Sequence, residues 1–291
     1  MRTAVESIRR MRGGSQSQLM RCDDDSYYVV KFQNNPQHRR VLANEMLATR
    51  LAARMGIFVP DVAVVEVSGE LIKNTHDLVI QRADRRVPCS AGRQFGSKYP
   101  GHPSRIVTLN GIEDRDIPRI KRLDDFLGIF VFDKWTCNTD GRQAILFEQL
   151  EPDIELPSAG TLHAMMIDQG FCFNGGAWNF PDSVIRNFYV NNAVYANVRG
   201  LDQFDPWLSW LEDKLSLDIL HEEAGMVPPE WYEEDHKSWN CLIERLYARR
   251  TRVRELIWSA GNVITSPFSN WKNNTRSIQL GKVKSGPSFA A

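Results

Sequence analysis

The sequence predicts an α+β chain in two lobes: a small lobe of antiparallel strands with one helix, followed by a mainly helical large lobe. Three observations lead there. Strand-type patterning with a single helical stretch fills about the first 80 residues, a Gly-, Pro-, Ser- and Arg-rich stretch occupies residues 82–120, and helical patterning dominates the remainder of the chain. A length of 291 residues suits two lobes around a cleft, and an apolar content of 42% suffices for a substantial core.

The elements come in order. Met11-Arg12-Gly13-Gly14-Ser15-Gln16-Ser17 reads as a Gly-rich turn. Leu19-Met20-Arg21-Cys22 and Tyr27-Tyr28-Val29-Val30-Lys31-Phe32 flank the acidic turn Asp23-Asp24-Asp25-Ser26, the pattern of a hairpin. Asn34-Asn35-Pro36 breaks the strand, and residues 38–55 read as a helix with Leu47, Leu51 and Met55 at spacing four and Gly56 as its stop. Strand patterns resume at residues 62–67 and 77–81, with a Ser68-Gly69 turn between them. Residues 82–120, centred on Phe95-Gly96-Ser97-Lys98-Tyr99-Pro100-Gly101, read as loop or linker. Residues 123–135 form a buried helix candidate, and residues 229–260 place Trp239, Leu242, Leu246, Val253 and Ile257 on one helical face. The expected organisation is a small lobe over 1–85, a hinge at 79–86, a helical lobe over 86–265 and a mobile tail over 266–291.

Charge and cysteine usage exclude several functions. Lys plus Arg and Asp plus Glu both total 36, so no net field concentrates the chain on nucleic acid or on an anionic membrane. The five cysteines, Cys22, Cys89, Cys137, Cys172 and Cys241, are odd in number and form no C-x-x-C pair, which argues against a disulfide framework and a zinc cage. A reducing cytoplasm fits best. Arg2, Glu6, Arg9, Arg10 and Arg12 interrupt the start before a secretory apolar run can develop. The longest apolar run, residues 127–132, is far below the ~20 residues that span a bilayer.

The chemistry-bearing residues also come in order. Gly13-Gly14-Ser15-Gln16 lets backbone N–H groups approach phosphate oxygens, although it lacks the spacing of a Walker or dinucleotide loop and, taken singly, reads as a plain hairpin turn. Lys31 ends the next strand on the face opposite Val30, where a lysine holds phosphates as a point charge or, more ordinarily, is a solvated edge residue. Glu45 lies on the following helix beside small residues, so a partly buried carboxylate there needs a cation, and Lys31 is the obvious one. Phe132-Asp133-Lys134-Trp135-Thr136-Cys137-Asn138-Thr139-Asp140-Gly141-Arg142-Gln143 gathers polar groups where an apolar helix stops. Two short strands come next, Ala144-Ile145-Leu146-Phe147 and Ala164-Met165-Met166-Ile167, the second running into Asp168-Gln169-Gly170. Paired as a hairpin, they bring two carboxylates to one cleft. Magnesium-dependent phosphoryl transfer needs that arrangement, one carboxylate to orient the nucleophile and one to hold metal at the phosphates.

Together these features resemble the HipA-like kinases, a divergent branch of the protein-kinase-like fold, and especially their smaller bacterial members, over residues 5–258. The resemblance implies a two-lobed kinase-like fold, ATP and Mg2+ as cofactors, and transfer of the γ-phosphate to a hydroxyl acceptor, a protein Ser/Thr or the chain itself. It makes Gly13, Gly14, Ser15 and Gln16 the phosphate loop, Lys31 the nucleotide lysine and Glu45 its helix partner, with adenine against residues 81–84 at Gln81. Asn138-Thr139-Asp140 resembles the catalytic Asn-x-Asp, and Ile167-Asp168-Gln169-Gly170 the metal-binding Ile-Asp-His-Gly. The family's asparagine five residues past the catalytic Asp is absent, since that position holds Ile145. Either Gln143 supplies the missing carbonyl oxygen, or Asp133 and Asn138, five apart, act as base and ligand; Asp140 is preferred as base because Asn138-Thr139-Asp140 matches more closely. The alternatives are a pseudokinase, which binds nucleotide without turnover, and a nucleotide-independent interaction protein.

Overall fold

The structure, a computed structural model, describes residues 1–104, 109–148 and 161–272. Five strands, β1 (Arg2–Arg10), β2 (Gln18–Cys22), β3 (Tyr27–Lys31), β4 (Val62–Val67) and β7 (Gly92–Lys98), close into a barrel in the order β1-β2-β3-β7-β4, while β5 (Val79–Gln81) and β6 (Arg86–Pro88) form a separate ribbon. The β2–β3 hairpin turns on the acidic run: the Ser26 amide donates to the Asp24 carboxylate at 3.1 Å, and Asp25 takes a left-handed φ of 57°. Alternation then sorts β3. Tyr28 and Val30 enter the barrel core with Met20, Cys22, Val65 and Val67, whereas Val29 and Lys31 face a cavity on the other side.

Helix α1 (Arg40–Arg54) is buried along most of its length, packing Leu42, Leu47 and Leu51 into a core shared with the later helices. Ser68 is an N-cap, accepting from the Leu71 amide at 3.1 Å, so it starts the short helix α2 (Gly69–Asn74) where a simple turn was expected. Helix α3 (Asp125–Thr136) is apolar nearly all round and buried throughout, as a helix at the centre of a domain must be. Cys137, with φ 51°, ends it in a left-handed turn. Strands β9 (Gln143–Glu148) and β10 (Leu162–Ile167) pair antiparallel with Gln143 opposite Ile167, and β8 (Leu109–Asn110) adds a third strand. Helices α4 (Asp205–Ser209), α5 (Leu217–Ala224), α6 (His236–Arg249) and α7 (Val253–Gly261) complete the helical part. Among the described residues no helix is long and apolar enough to cross a membrane.

Two expectations are corrected. Residues 82–120 are not a linker: β7 lies there, between β3 and β4, with Lys31 opposite Phe95 and Val64 opposite the same residue. Gly96 belongs in a strand because a β-carbon there would meet the Val65 side chain at 2.4 Å. The barrel therefore continues past the boundary expected at residue 85. The part of the expected mobile tail that is described, 266–272, is packed. Phe268 is buried against Phe130, Tyr195 and Phe204, and Trp271 stacks on it at 5.4 Å. Residues 273–291 lie outside the described residues.

Candidate active site

A cavity of about 740 Å³ opens between the barrel and the β9–β10 hairpin, and it gathers most of the residues singled out in the sequence. Gly13, Gly14 and Ser15 line it, as do Lys31, Glu45 and Asp168 at its floor, and Asp140 and Gln143. Gly13 has φ 122°, open to glycine alone, and the loop is closed by the Met11 amide donating to the Ser17 carbonyl at 2.8 Å.

The floor is an ion triad. The Lys31 ammonium donates to Glu45 and, at 2.9 Å, to Asp168, while the other Glu45 oxygen accepts the Gln169 amide at 3.0 Å. Glu45 thus ties α1 both to β3 and to the backbone just after Asp168. That approach requires Gly170, where a β-carbon would meet Val41 at 2.7 Å and Glu45 at 3.2 Å. The neighbouring Asn44 fastens the same segment, donating to the carbonyls of Gly170, Cys172 and Gly175 at 2.8, 3.1 and 2.9 Å. Burial alone would lower the Lys31 pKa, but the two carboxylates outweigh it and hold the ammonium above its ordinary value. Burial pushes Glu45 up, more than Lys31 pulls it down. Asp168 feels the same burial, yet Lys31 prevails there and holds it at about 2. Asp168 also has a left-handed φ of 63°, a conformation of a kind that concentrates at functional sites.

A second cluster lies behind the first and is closed. Arg142 and Asp133 have fully buried side chains. Arg142 grips both oxygens of Asp133, Nε donating to Oδ2 at 2.9 Å, and spends its remaining nitrogen on the Ile167 carbonyl and the Gln169 side chain, at 2.9 and 2.8 Å. The Asn138 amide adds a third bond to Asp133 at 3.1 Å. Asp133 therefore lies outside the cavity with both oxygens occupied. Asn138 is also buried, and its side-chain oxygen accepts the Asp140 backbone amide at 3.1 Å. Asp140 itself is exposed on the cavity wall.

Gln143 stands at the start of β9 and donates to the free oxygen of Asp168 at 3.0 Å. Asp168 and Gln143 thus present one carboxylate and one amide at the cavity, a set suited to a hard cation that takes its other ligands from phosphates and water. Among the described residues no group of three or more His, Cys, Asp or Glu side chains could cage a metal by itself.

Gln16 and Gln81 fall elsewhere. The Gln16 side chain donates to the Gln81 carbonyl at 2.9 Å and accepts the Gln81 amide at 2.7 Å, so the pair pins the glycine loop to β5, and neither residue lines the cavity. The cavity is lined instead by Phe95 and Ser97 of β7 and by Tyr99 and Pro100 after it, together with Val29, Ile145 and Met165. Sequence reasoning marked the stretch Phe95-Gly96-Ser97-Lys98-Tyr99-Pro100 as one seen in the family's smaller members but did not place it on the cavity, and it missed Arg142 as the partner of Asp133. Arg9 and Arg12 at the cavity mouth were missed too.

The sequence matches the HipA-like kinase family over residues 4–174. No curated protein matches it. Among solved structures the chain is similar to the Golgi casein kinase, with a TM-score of 0.51 and 12% identity over 88% of this chain and 74% of that one. The same kinase with Mn/ADP bound gives 0.48 and 11% identity over 89% and 74%. The first of these likenesses shows a kinase-like α+β fold, and the family match spans more than half of the sequence: the chain belongs to the HipA-like kinases.

Proposed function

We propose that the chain is an ATP- and Mg2+-dependent phosphotransferase moving the γ-phosphate to a hydroxyl, a protein Ser/Thr or one of its own. The observation that carries this reading is the Lys31–Glu45–Asp168 triad at the floor of a cavity roofed by Gly13, Gly14 and Ser15. Lys31, held charged and aimed by Glu45, would bind nucleotide phosphates. Adenine would lie on the apolar end formed by Val29, Phe95, Tyr99, Ile145 and Met165. In this reading the chain is two-lobed, the barrel with α1 above the cavity and the helical part below.

Asp168, ionised far below neutral pH, and Gln143 would hold Mg2+. The cation would supply charge neutralisation at the phosphates. Asp140 would act as the base, because its carboxylate is exposed on the cavity wall, whereas both Asp133 oxygens are consumed by Arg142 and Asn138. Asn138 would then position the loop and not ligate metal.

One observation favours the pseudokinase as a second reading: Gln143 offers an amide where the family carries asparagine in a different register, five residues past the catalytic aspartate. Transfer of labelled γ-phosphate from ATP to the chain itself, to mixed protein acceptors and to water separates the two. Turnover in the wild type that falls to background in Asp140→Asn supports the enzyme. ATP binding without turnover supports the pseudokinase.

A further inference from the structure

Lys134 sits in the last turn of α3, beside Asp133, but takes no part in the ion pair there. It is 2% exposed, and its ammonium donates to three backbone carbonyls, those of Ser183, Val184 and Arg186, at 2.8, 3.0 and 2.6 Å. It also lies 5.1 and 5.2 Å from the ring centroids of Phe130 and Phe188, which stack on each other at 5.3 Å. Burial lowers its pKa to about 8, which leaves it charged at neutral pH. A buried ammonium is costly unless every donor is used, and here three carbonyls and two aromatic faces use it. Those carbonyls belong to a stretch with no helix or strand to satisfy them.

The stretch leads straight to the catalytic loop. Asn187 adopts a left-handed φ of 76°, and its side-chain amide donates to the Asn138 carbonyl. Two residues on, Tyr189 bridges to Arg142 and lines the cavity with Asp140. Asn138 in turn holds the Asp140 amide. The opposite flank of the loop is fixed separately, by the Thr139 amide donating to the Phe171 carbonyl at 3.1 Å.

We infer that Lys134 is a positioning residue for the transfer reaction: it clamps residues 183–186 against α3, and through Asn187 and Asn138 it fixes the loop that presents Asp140. The effect on turnover rests on the phosphotransferase reading, but the clamp is also readable without activity. Lys134→Met keeps the apolar stem and removes all three donors. Amide hydrogen exchange across residues 137–142 should then accelerate, and kcat should fall about tenfold to a hundredfold, the cost of slight misplacement of a reacting group, while ATP affinity stays within about twofold. Unchanged exchange in that loop overturns the inference. Should Lys134→Met fail to fold, Asn187→Gly carries the test, since glycine accepts the left-handed backbone and only the amide is lost. Faster loop exchange in that variant supports the clamp, and wild-type exchange overturns it. If the wild type binds ATP but transfers nothing, the phosphotransferase reading falls, and the exchange rates alone decide the clamp in the same two ways.

Discussion

Two buried ion clusters stand back to back in this molecule, and they are built for different ends. In the first, Lys31 faces two carboxylates, Glu45 and Asp168, so the cluster carries one negative charge too many and opens on the cavity. In the second, Arg142 and Asp133 balance one for one, with no exposure and with Asn138 filling the remaining acceptor. A closed, balanced pair has nothing left to bind with. An open, unbalanced one is incomplete until a cation and its ligands arrive. The contrast teaches that burial and charge alone do not set one aspartate apart from another; an unbalanced charge opening on a cavity does.

The closed cluster should break hardest. Arg142→Met strands a fully buried carboxylate and should cost about 3–5 kcal/mol of stability. Denaturant unfolding would measure it, and the double variant Arg142→Met/Asp133→Leu should recover most of the loss because no uncompensated charge remains. A single variant as stable as the wild type would put the pair outside the structural role given to it.

Lys31→Met attacks the open cluster instead. Its two carboxylates sit at a cavity, Asp168 with 29% of its side chain exposed, so stability should fall less than in Arg142→Met. ATP affinity should drop about tenfold or more, the loss of one charge-assisted phosphate contact. Calorimetric titration reads this, and an unchanged dissociation constant would remove Lys31 from the phosphate site.

Acid should act through Asp168. Its folded pKa of about 2 is below the unfolded value of about 3.9, so the unfolded chain binds the proton first and the contribution to stability is lost as pH falls from about 4 to about 2. Glu45, raised by burial, works in the opposite direction and offsets part of it. Melts of Asp168→Asn against wild type across this window should converge toward pH 2. The smallest effect belongs to Gln81→Ala, which leaves both backbone bonds to Gln16 in place, touches no cavity wall and should leave ATP affinity within about twofold.

Legibility in the sequence tracks the physics of each residue. Lys31 was readable because alternation along Tyr28, Val29 and Val30 fixes its face, and Glu45 because a carboxylate among small helix residues requires a cation. Asp168 was readable as a carboxylate closing an apolar strand. The strand β7 was not. Arg93-Gln94-Phe95-Gly96-Ser97-Lys98 has no β-branched residue, and its conformation comes from pairing on both edges, which local propensity does not encode. Gln81 falls outside the cavity for the same reason, since the chain that reaches the cavity is β7 with Tyr99 and Pro100 after it. Asp133 stayed ambiguous because its partner Arg142 lies nine residues on, beyond the helix end, and only the turn at Cys137 folds it back.

The central claim is that the open cluster is the nucleotide and metal site. The most direct measurement is calorimetric titration of ATP, with and without Mg2+, into wild type and Asp168→Asn, with melts to confirm folding. The account predicts that Mg2+ strengthens ATP binding to the wild type and that this enhancement vanishes in Asp168→Asn. Equal Mg2+ dependence in both proteins, or no ATP binding by a folded wild type, would contradict it.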